Sequence, residues 1–302
     1  MKEIVLITGA NGMLAKNLTG LLKNNYSIRF LSRSVKNKNE FRWDIDKNYI
    51  DPKALEGVNH IIHLAGSPIA DKPWTKKRRI DILNSRVKSA ALIKNKLVKQ
   101  SITINSFISA SAVGFYGTDT TEKIYTEKSP KGSDFLSDVC GEWENIAESF
   151  KMNRIANRVS IIRIGIILAK DGGALKKIIQ PINYGFGAVI GQGNQWMPWI
   201  HIFDLSSMIQ FLLENKNTNG IFNGVAPNHI TNKELMLKTA KFIDKKILLP
   251  NIPEFMVKLL FGKRSLILLK GSRISCEKIM DLGFTYKFKT IDEALKNILS
   301  EK

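Results

Sequence analysis

The sequence of 302 residues is poor in cysteine and has no long hydrophobic run. Cys140 and Cys276 lie far apart, without a neighbouring cysteine or histidine at metal-ligand spacing, which argues against a disulfide framework and a zinc site. No apolar segment approaches the ~20 residues that a membrane-spanning helix needs. The first residues form a strand-like run and lack the pattern of a signal peptide. We therefore expect a cytoplasmic protein with reduced thiols, no metal and no membrane partner.

Acidic residues are also scarce: the chain has 27 aspartates and glutamates but 46 lysines and arginines, which gives a formal net charge of +19. A charge of this size attracts polyanions, anionic lipid head groups and phosphorylated small molecules. The cations are mostly lysines spread along the chain, and the sequence has no zinc-finger spacing or aromatic RNA-binding run. Composition alone accounts for such a charge, so we expect no specific nucleic-acid partner.

Short β-branched apolar runs alternate with helical patterns in the first half of the chain, as in a parallel sheet wrapped by helices. The runs predict strands at residues 4–8, 28–32, 41–44, 61–65, 107–111 and 161–168. Apolar residues at helical spacing predict a helix over residues 75–97. Glycine-rich punctuation becomes dense after residue 170, which predicts a domain of residues 1–170 followed by a smaller lobe of residues 171–302. The segment IFNGVA at 221–226 is compatible with a strand that returns to the first sheet.

The segment IVLITGANGMLAKNL at residues 4–18 combines a buried strand, a glycine-rich turn and the start of a helix. Within it, Gly9 would form the tight turn, Gly12 would let the backbone approach a pyrophosphate, and Ala15 would allow close packing of helix and strand. The N–H groups of the helix N-terminus would face the anion. This arrangement predicts an α/β fold: a Rossmann-type doubly wound parallel sheet with a smaller C-terminal α/β substrate lobe.

The residues after the second predicted strand indicate which dinucleotide is bound. An acidic residue there would bind the ribose 2′-hydroxyl of NAD, but the sequence has Arg33 between two serines, and the next acidic residue is Glu40. A guanidinium can bind a 2′-phosphate through two hydrogen bonds, so Arg33 predicts NADP, with an exposed loop arginine as the alternative. Asp44, after the third strand, is a candidate for the adenine amino group or a turn residue.

Longer motifs resemble a known superfamily. The segments TGANGMLAKNL at 8–18, HLAGSPIA at 63–70 and SFISASAVGFYG at 106–117 resemble the extended short-chain dehydrogenase/reductase superfamily, which includes nucleotide-sugar epimerases and dehydratases. More specifically, QWMPWIHIFDL at 195–205 and GFTYKFKTIDEAL at 283–295 resemble its epimerase-like family of the SDR39U type. The resemblance covers nearly the whole chain and implies an NADP(H) cofactor.

The resemblance also implies positions for that cofactor. The glycine-rich turn would line the pyrophosphate, the end of the fourth strand would lie on the adenine and ribose side, and the end of the fifth would lie beside the nicotinamide. The residues implied in this way are Gly9, Asn11, Gly12, Met13, Leu14, Arg33, Leu64, Ala65, Gly66 and Ser109. Ser111 matches the superfamily's catalytic serine, which hydrogen-bonds the substrate oxygen; a turn serine is the alternative.

One superfamily feature is missing. Catalysis there depends on a Tyr-x-x-x-Lys pair one helical turn apart, in which the lysine and the cofactor lower the pKa of the phenol. On the helix expected after Ser111, the two registers that fit place Val139 with Trp143, or Cys140 with Glu144, at these positions. The one Tyr-x-x-x-Lys of the chain, at residues 49–53, precedes the fifth strand and contains a proline, so we interpret it as coincidence.

Another group would then have to move the proton. Tyr116, in the loop after the Ser111 strand, is the first candidate, and aromatic packing is its equal alternative. Glu142, Glu144 and Cys140 are weaker candidates, because we expect the glutamates on the helix surface and the thiol buried and inert.

His201, in the predicted C-terminal lobe, is a further candidate because the reference pKa of histidine is ~6.5. It follows two tryptophans in QWMPWIH and would be a proton donor or acceptor at the wall of a substrate pocket. The alternative is a packed corner in which Asp204 caps the following helix.

Two functions fit these patterns. We favour an enzyme, an NADP(H)-dependent epimerase/dehydratase-like oxidoreductase acting on a small carbonyl or hydroxyl compound such as a nucleotide-linked sugar. The alternative is a non-catalytic NADP(H)-binding sensor or structural protein, which the missing Tyr-x-x-x-Lys pair favours. A homodimer is compatible with both.

Overall fold

A computed structural model describes residues 2–170 and 172–300 as an α/β structure. The strands are β1 (Ile4–Thr8), β2 (Ser27–Ser32), β3 (Glu40–Asp44), β4 (Tyr49–Ile50), β5 (Val58–His63), β6 (Ile104–Ala112), β7 (Ile124–Tyr125), β8 (Ala156–Ile164), β9 (Ile166–Ala169), β10 (Trp199–His201), β11 (Gly220–Gly224) and β12 (Arg273–Ile274). The helices are α1 (Met13–Leu22), α2 (Lys76–Lys99), α3 (Phe135–Met152), α4 (Gly173–Asn183), α5 (Ile202–Glu214), α6 (Asn232–Phe242), α7 (Glu254–Phe261), α8 (Ser265–Leu269), α9 (Glu277–Asp281) and α10 (Ile291–Ser300). In the part of the chain so described, no helix is long and apolar enough to cross a membrane.

The main sheet has the order β11-β8-β6-β5-β1-β2-β3-β4 and is parallel except for the pair β3–β4. Helices cover both faces, because successive side chains of a strand point to opposite sides. Val5 and Ile7 of β1 pack in one core cluster with α1 and α5, whereas Leu6 packs in a second cluster with α2 and α3. The predicted doubly wound parallel sheet is therefore confirmed.

Most of the predicted elements are present, but one strand prediction is wrong. The helix predicted over residues 75–97 is α2, whose N-cap Thr75 accepts a hydrogen bond from the Arg78 N–H. The strand predicted over residues 161–168 is divided at Gly165 into β8, in the main sheet, and β9, in a small sheet with β10. A Cβ at Gly165 would lie 2.5 Å from the carbonyl oxygen of Pro198, so the chain changes sheets where only glycine fits.

The C-terminal part has its own core, formed by β9 and β10 with α4, α6 and α10. The predicted boundary between residues 170 and 171 adjoins Asp171, which lies outside the described residues, and it stays a prediction. The strand compatible with 221–226 is β11, which pairs in parallel with β8. The main sheet therefore contains strands from both sides of the predicted boundary.

Candidate cofactor and active site

The turn after β1 has the geometry of an anion-binding loop. Gly9 has φ +76°, and a Cβ there would lie 3.2 Å from the carbonyl oxygen of Leu64. Both the backbone conformation and the lack of space for a side chain therefore favour glycine. The Gly12 N–H donates to the Gly9 carbonyl at 2.8 Å, and α1 begins at the next residue. The N–H groups of the first turn of α1 therefore face the same edge of the sheet as Gly9 and Gly12.

Thr8 holds the ends of β1 and β5 side by side. Its buried hydroxyl oxygen accepts hydrogen bonds from the backbone N–H groups of Leu64 at 2.9 Å and of Ala65 at 3.0 Å. Gly66 follows and is exposed. The glycine-rich turn and the segment after β5 thus form one continuous edge, in which the predicted pyrophosphate and ribose positions are neighbours.

The remaining residues predicted for the turn differ in how they face this edge. Asn11 and Gly12 are exposed, and Met13 is half-buried, with its sulfur beside Gly172. Leu14 packs its side chain into the core below the sheet, so only its backbone is available to a phosphate. The sequence pattern therefore predicts the loop, but only part of its side-chain placement.

Arg33 lies just after the end of β2, and its side chain is exposed. The Ser32 hydroxyl donates to the Ser34 carbonyl at 2.7 Å, which turns the chain sharply at this point. Asp44 caps the turn after β3, where one carboxylate oxygen accepts from the N–H groups of Asp46 and Lys47, both at 3.1 Å. Arg33 is therefore exposed at the end of β2, while Asp44 has the contacts of a turn residue.

The end of β6 presents two buried serines with different partners. The Ser109 hydroxyl donates to the neighbouring carbonyl of Ala110 at 3.0 Å. The Ser111 hydroxyl donates to a carboxylate oxygen of Glu144 on α3 at 2.6 Å. Ser111 can therefore offer its hydrogen to a substrate oxygen only by leaving Glu144.

Glu144 forms a buried ion pair with Arg163 of β8. The Arg163 Nε and Nη2 atoms donate to the two carboxylate oxygens at 2.9 and 2.8 Å, and the two residues are 1% and 4% exposed. Burial opposes the charge of Arg163, but the hydrogen bond and negative charge of Glu144 raise its pKa above the usual value. The predicted surface position of Glu144 is wrong, because this pair holds it inside, whereas Glu142 is exposed as expected.

Tyr116, the first candidate for proton transfer, belongs to the same network. Its hydroxyl donates to the Asn223 side-chain oxygen at 2.6 Å and accepts from Arg163 Nη1 at 3.0 Å. The residue is 2% exposed, and burial raises its pKa to about 12. These contacts place Tyr116 in the buried network of Glu144 and Arg163.

The face of α3 toward the end of β6 carries Leu136, Cys140 and Glu144 at four-residue spacing. A Cβ at Gly114, just after β6, would lie 3.4 Å from the Leu136 Cβ and 3.8 Å from the Cys140 sulfur. Cys140 is buried, and burial above all raises the pKa of its thiol to about 12. This helix face therefore has neither a tyrosine nor a lysine, and its thiol is buried as we expected.

His201 is buried and caps α5. Its Nδ1 atom accepts from the Phe203 N–H at 3.1 Å, and its ring packs on Phe288 with the ring centroids 4.0 Å apart. Asp204 is not the cap that we predicted. Its two carboxylate oxygens accept the N–H groups of Lys287 and Phe288, at 2.8 and 3.0 Å. The contacts are therefore those of a packed corner, in which His201 and not Asp204 caps α5.

Acidification is expected to destabilise the protein through His201. Burial lowers the pKa of His201 to about 4, whereas an unfolded histidine titrates near ~6.5. Between these values the unfolded chain binds a proton that the folded chain does not, so stability falls as the pH falls through this window, by up to about 3 kcal/mol. His201→Asn keeps a capping acceptor but cannot titrate. Urea unfolding should show that the free energy of unfolding falls less between pH 7 and pH 4 for His201→Asn than for the unmodified protein. An equal fall in both proteins would contradict this assignment.

Sequence patterns did not indicate that Arg163 and Asn223 belong to the buried network, or that Glu144 is buried. One signal was available, because Arg163 interrupts the apolar run of residues 159–168. A charged residue in a buried strand needs a partner of opposite charge, but sequence spacing does not show where on the chain that partner lies.

Comparisons with known proteins agree with this geometry. The model of the NAD dependent epimerase/dehydratase family matches residues 5–223, and that of a domain of unknown function, DUF1731, matches residues 252–298. The chain is 34% identical to an SDR39U1 homolog, chloroplastic, of Arabidopsis thaliana, over 98% of this chain and 86% of that protein. It is 32% identical to the epimerase family protein YfhF of Bacillus subtilis, over 99% of this chain and 98% of YfhF.

Solved structures of similar proteins have the same fold. The crystal structure of human epimerase family protein SDR39U1 (isoform 2) with NADPH superposes with a TM-score of 0.89 at 28% identity, covering 99% of this chain and 100% of the human one. The UDP-glucuronic acid 4-epimerase of Bacillus cereus has the same fold, with a TM-score of 0.77 at 16% identity. The resemblance seen in the motifs is thereby confirmed, and the chain belongs to the NAD dependent epimerase/dehydratase family, among relatives of the SDR39U1 type.

Proposed function

We propose that this chain binds NADPH along the edge formed by the Gly9 turn and the end of β5. The observation that carries the proposal is the close approach of Gly9 to Leu64, which the buried hydroxyl of Thr8 maintains. Such an edge offers backbone N–H groups to a pyrophosphate where no side chain intervenes. The NADPH in the human SDR39U1 structure supports the same cofactor for this chain.

Each part of the cofactor has residues that fit it. The pyrophosphate would lie on the backbone of Gly9, Asn11, Gly12, Met13 and Leu14, and the 2′-phosphate on the guanidinium of Arg33. The adenine and ribose side would meet Leu64, Ala65, Gly66 and Asp44, and the nicotinamide would lie beside Ser109 and Ser111. When bound, NADPH supplies a hydride.

The proposed reaction is hydride transfer to or from a small carbonyl or hydroxyl compound, such as a nucleotide-linked sugar. Ser111 would orient the substrate oxygen, because it is the hydroxyl at the end of β6. The pKa values of Tyr116 and Cys140 are raised to about 12 and that of His201 is lowered to about 4, so none is matched to proton transfer near neutral pH. In the reduction of a carbonyl the proton that accompanies the hydride would come from water, and in the oxidation of a hydroxyl, with the hydride passing to NADP+, it would be released to water. The net charge of +19 favours a phosphorylated substrate.

A second candidate function is a non-catalytic NADPH-binding protein. The observation that favours it is the hydrogen bond of Ser111 to Glu144, which occupies the hydroxyl that a substrate would need. The absence of tyrosine and lysine from the helix face opposite Ser111 points the same way. Both functions use the same cofactor edge, so they differ in turnover and not in NADPH affinity.

Turnover assays distinguish the two functions. NADPH-saturated protein would be screened against carbonyl compounds, and NADP+-saturated protein against nucleotide sugars, with the absorbance of NADPH as the readout. If the chain is an enzyme, we expect turnover with at least one of these compounds. Ser111→Ala should then lower kcat and leave the Kd for NADPH unchanged. Stoichiometric NADPH binding with no turnover in either screen would instead support the non-catalytic function.

Arg33→Ala tests the choice of cofactor. A charge-assisted hydrogen bond contributes about 1.5–3 kcal/mol, so the Kd for NADPH should rise by about 10- to 150-fold. The Kd for NADH, which has no 2′-phosphate, should stay within about twofold. Lys38→Ala removes a charge from the same exposed loop and should change neither value. Equal weakening of both cofactors in calorimetric titrations would contradict the role of Arg33.

A further inference from the structure

Helix α7 turns most of its large apolar side chains to the solvent. Of its eight residues only Val257 is buried, whereas Leu259 is 82% exposed. Four other large apolar residues of the helix are also exposed: Phe255, Met256, Leu260 and Phe261. Positions 255, 256, 259 and 260 have the spacing of one helix face. Single exposed apolar residues are common on protein surfaces, but a continuous apolar face marks an interaction site.

The surface next to α7 is apolar as well. Ile252, just before the helix, pairs with the segment that follows α4. Its N–H donates to the Val189 carbonyl at 2.8 Å, and its carbonyl accepts from the Gly191 N–H at 2.8 Å. These two neighbouring segments carry further exposed apolar residues, namely Tyr184, Phe186, Leu248 and Leu249. The apolar face of α7 is therefore not an isolated feature of one helix.

The charges around α7 are almost all positive. Residues 245–270 contain five lysines and one arginine but a single carboxylate, Glu254, which forms an exposed ion pair with Lys258 at 3.4 Å. The other four lysines are exposed and have no ion pair within the described part of the chain: Lys245, Lys246, Lys263 and Lys270. The exposed apolar face thus lies among cations that no carboxylate neutralises.

These charges decide which partner fits the apolar face. In a two-fold contact between two copies of the chain the same surface faces itself, so the lysines of both copies would repel each other. A membrane surface with anionic lipids attracts the lysines and also offers an apolar phase to leucine and phenylalanine side chains. At about 12 Å, an eight-residue helix is too short to span a bilayer and would lie in the plane of its surface.

We propose that α7 docks the protein on the surface of a membrane that contains anionic phospholipids. Its exposed leucine and phenylalanine side chains enter the boundary between head groups and acyl chains, and the surrounding lysines meet the lipid phosphates. We expected no membrane partner from the sequence because it lacks a spanning segment, but a helix that lies in the interface does not need one. The inference is independent of the proposed NADPH site.

Cosedimentation of the full-length chain with lipid vesicles tests this inference. Vesicles of phosphatidylcholine alone are compared with mixed vesicles that also contain phosphatidylglycerol, at low and at high salt. Binding to the mixed vesicles should be at least about tenfold tighter than to phosphatidylcholine, because each lysine near an anionic surface contributes about 1 kcal/mol, or about fivefold. High salt should weaken it, because salt screens exposed charges.

Leu259→Glu and Met152→Glu form a matched pair of variants, because the two side chains are 82% and 80% exposed but Met152 ends α3. Leu259→Glu should weaken binding to the mixed vesicles at least about tenfold, since it removes a leucine that would be buried in lipid. Met152→Glu changes the net charge equally and should have a much smaller effect. Lys263→Gln should weaken binding about fivefold, and the exposed Lys88 of α2 provides its control in Lys88→Gln.

Thermal unfolding should be unchanged in these variants, because the substituted side chains are exposed. If Leu259→Glu does not fold, Leu260→Gln takes its place. The inference is overturned if the unmodified protein does not bind the mixed vesicles. Equal weakening by Leu259→Glu and Met152→Glu would also overturn it, because net charge alone would then explain the binding. A lipid-free dimer that Leu259→Glu dissociates in analytical ultracentrifugation would show instead that a second copy covers α7.

Discussion

Glu144→Gln is expected to lower the free energy of unfolding by about 3–5 kcal/mol, the range typical of removing one partner from a buried ion pair. The glutamine leaves the charge of Arg163 inside the protein without a counter-charge, and Arg163 is only 1% exposed. The Ser111 hydroxyl also loses its charged acceptor. Urea unfolding at pH 7 measures the effect.

Glu142→Gln is the matched control, because Glu142 lies on the same helix but is exposed, and we expect a change within about 0.5 kcal/mol. Replacing both partners, Glu144→Leu with Arg163→Met, should recover much of the loss, because no charge is then left unpaired. A similar small effect for Glu144→Gln and Glu142→Gln would show that the ion pair is not formed in solution.

Gly12→Val is expected to abolish binding of both NADPH and NADH while the protein stays folded. Gly12 has φ −73° and ψ 149°, a conformation that any residue adopts, so valine does not strain the backbone dihedrals. A Cβ there would lie 3.1 Å from the Gly9 carbonyl oxygen and would project from the exposed edge where the pyrophosphate must approach. Calorimetric titration and thermal unfolding measure the two properties separately.

Gly20→Ala provides the control within α1, where an added Cβ would meet nothing within 4 Å. It should leave dinucleotide binding unchanged and raise stability by about 0.5–1 kcal/mol, because alanine favours the helix. NADPH binding by folded Gly12→Val at the affinity of the unmodified protein would show that the pyrophosphate does not lie on this turn.

The sequence was sufficient for features that local chemistry determines. The strand, turn and helix around Gly9 and Gly12 depend on backbone conformation and on residues close in the chain, and they are where we predicted them. The start of α2 follows from the capping hydroxyl of Thr75 in the same way. The parallel order of the sheet follows from the alternation of strands and helices.

Sequence patterns could not predict features that depend on contacts between residues distant in the chain. The strand predicted over 161–168 is divided because Gly165 meets Pro198, more than one element away. Glutamate usually lies on the surface of a helix, and only the position of Arg163 on β8 explains why Glu144 is buried. The sequence indicates Tyr116 as a candidate proton donor, but it does not show the hydrogen bonds of Tyr116 with Asn223 and Arg163, which lie far from it in the chain.

The most direct test of the proposed function is a pair of calorimetric titrations of the unmodified protein, one with NADPH and one with NADH. We expect one NADPH per chain, with a Kd at least about tenfold lower than that for NADH, because only NADPH has the 2′-phosphate that Arg33 would bind. Absence of NADPH binding, or an affinity for NADH equal to or higher than that for NADPH, would contradict it.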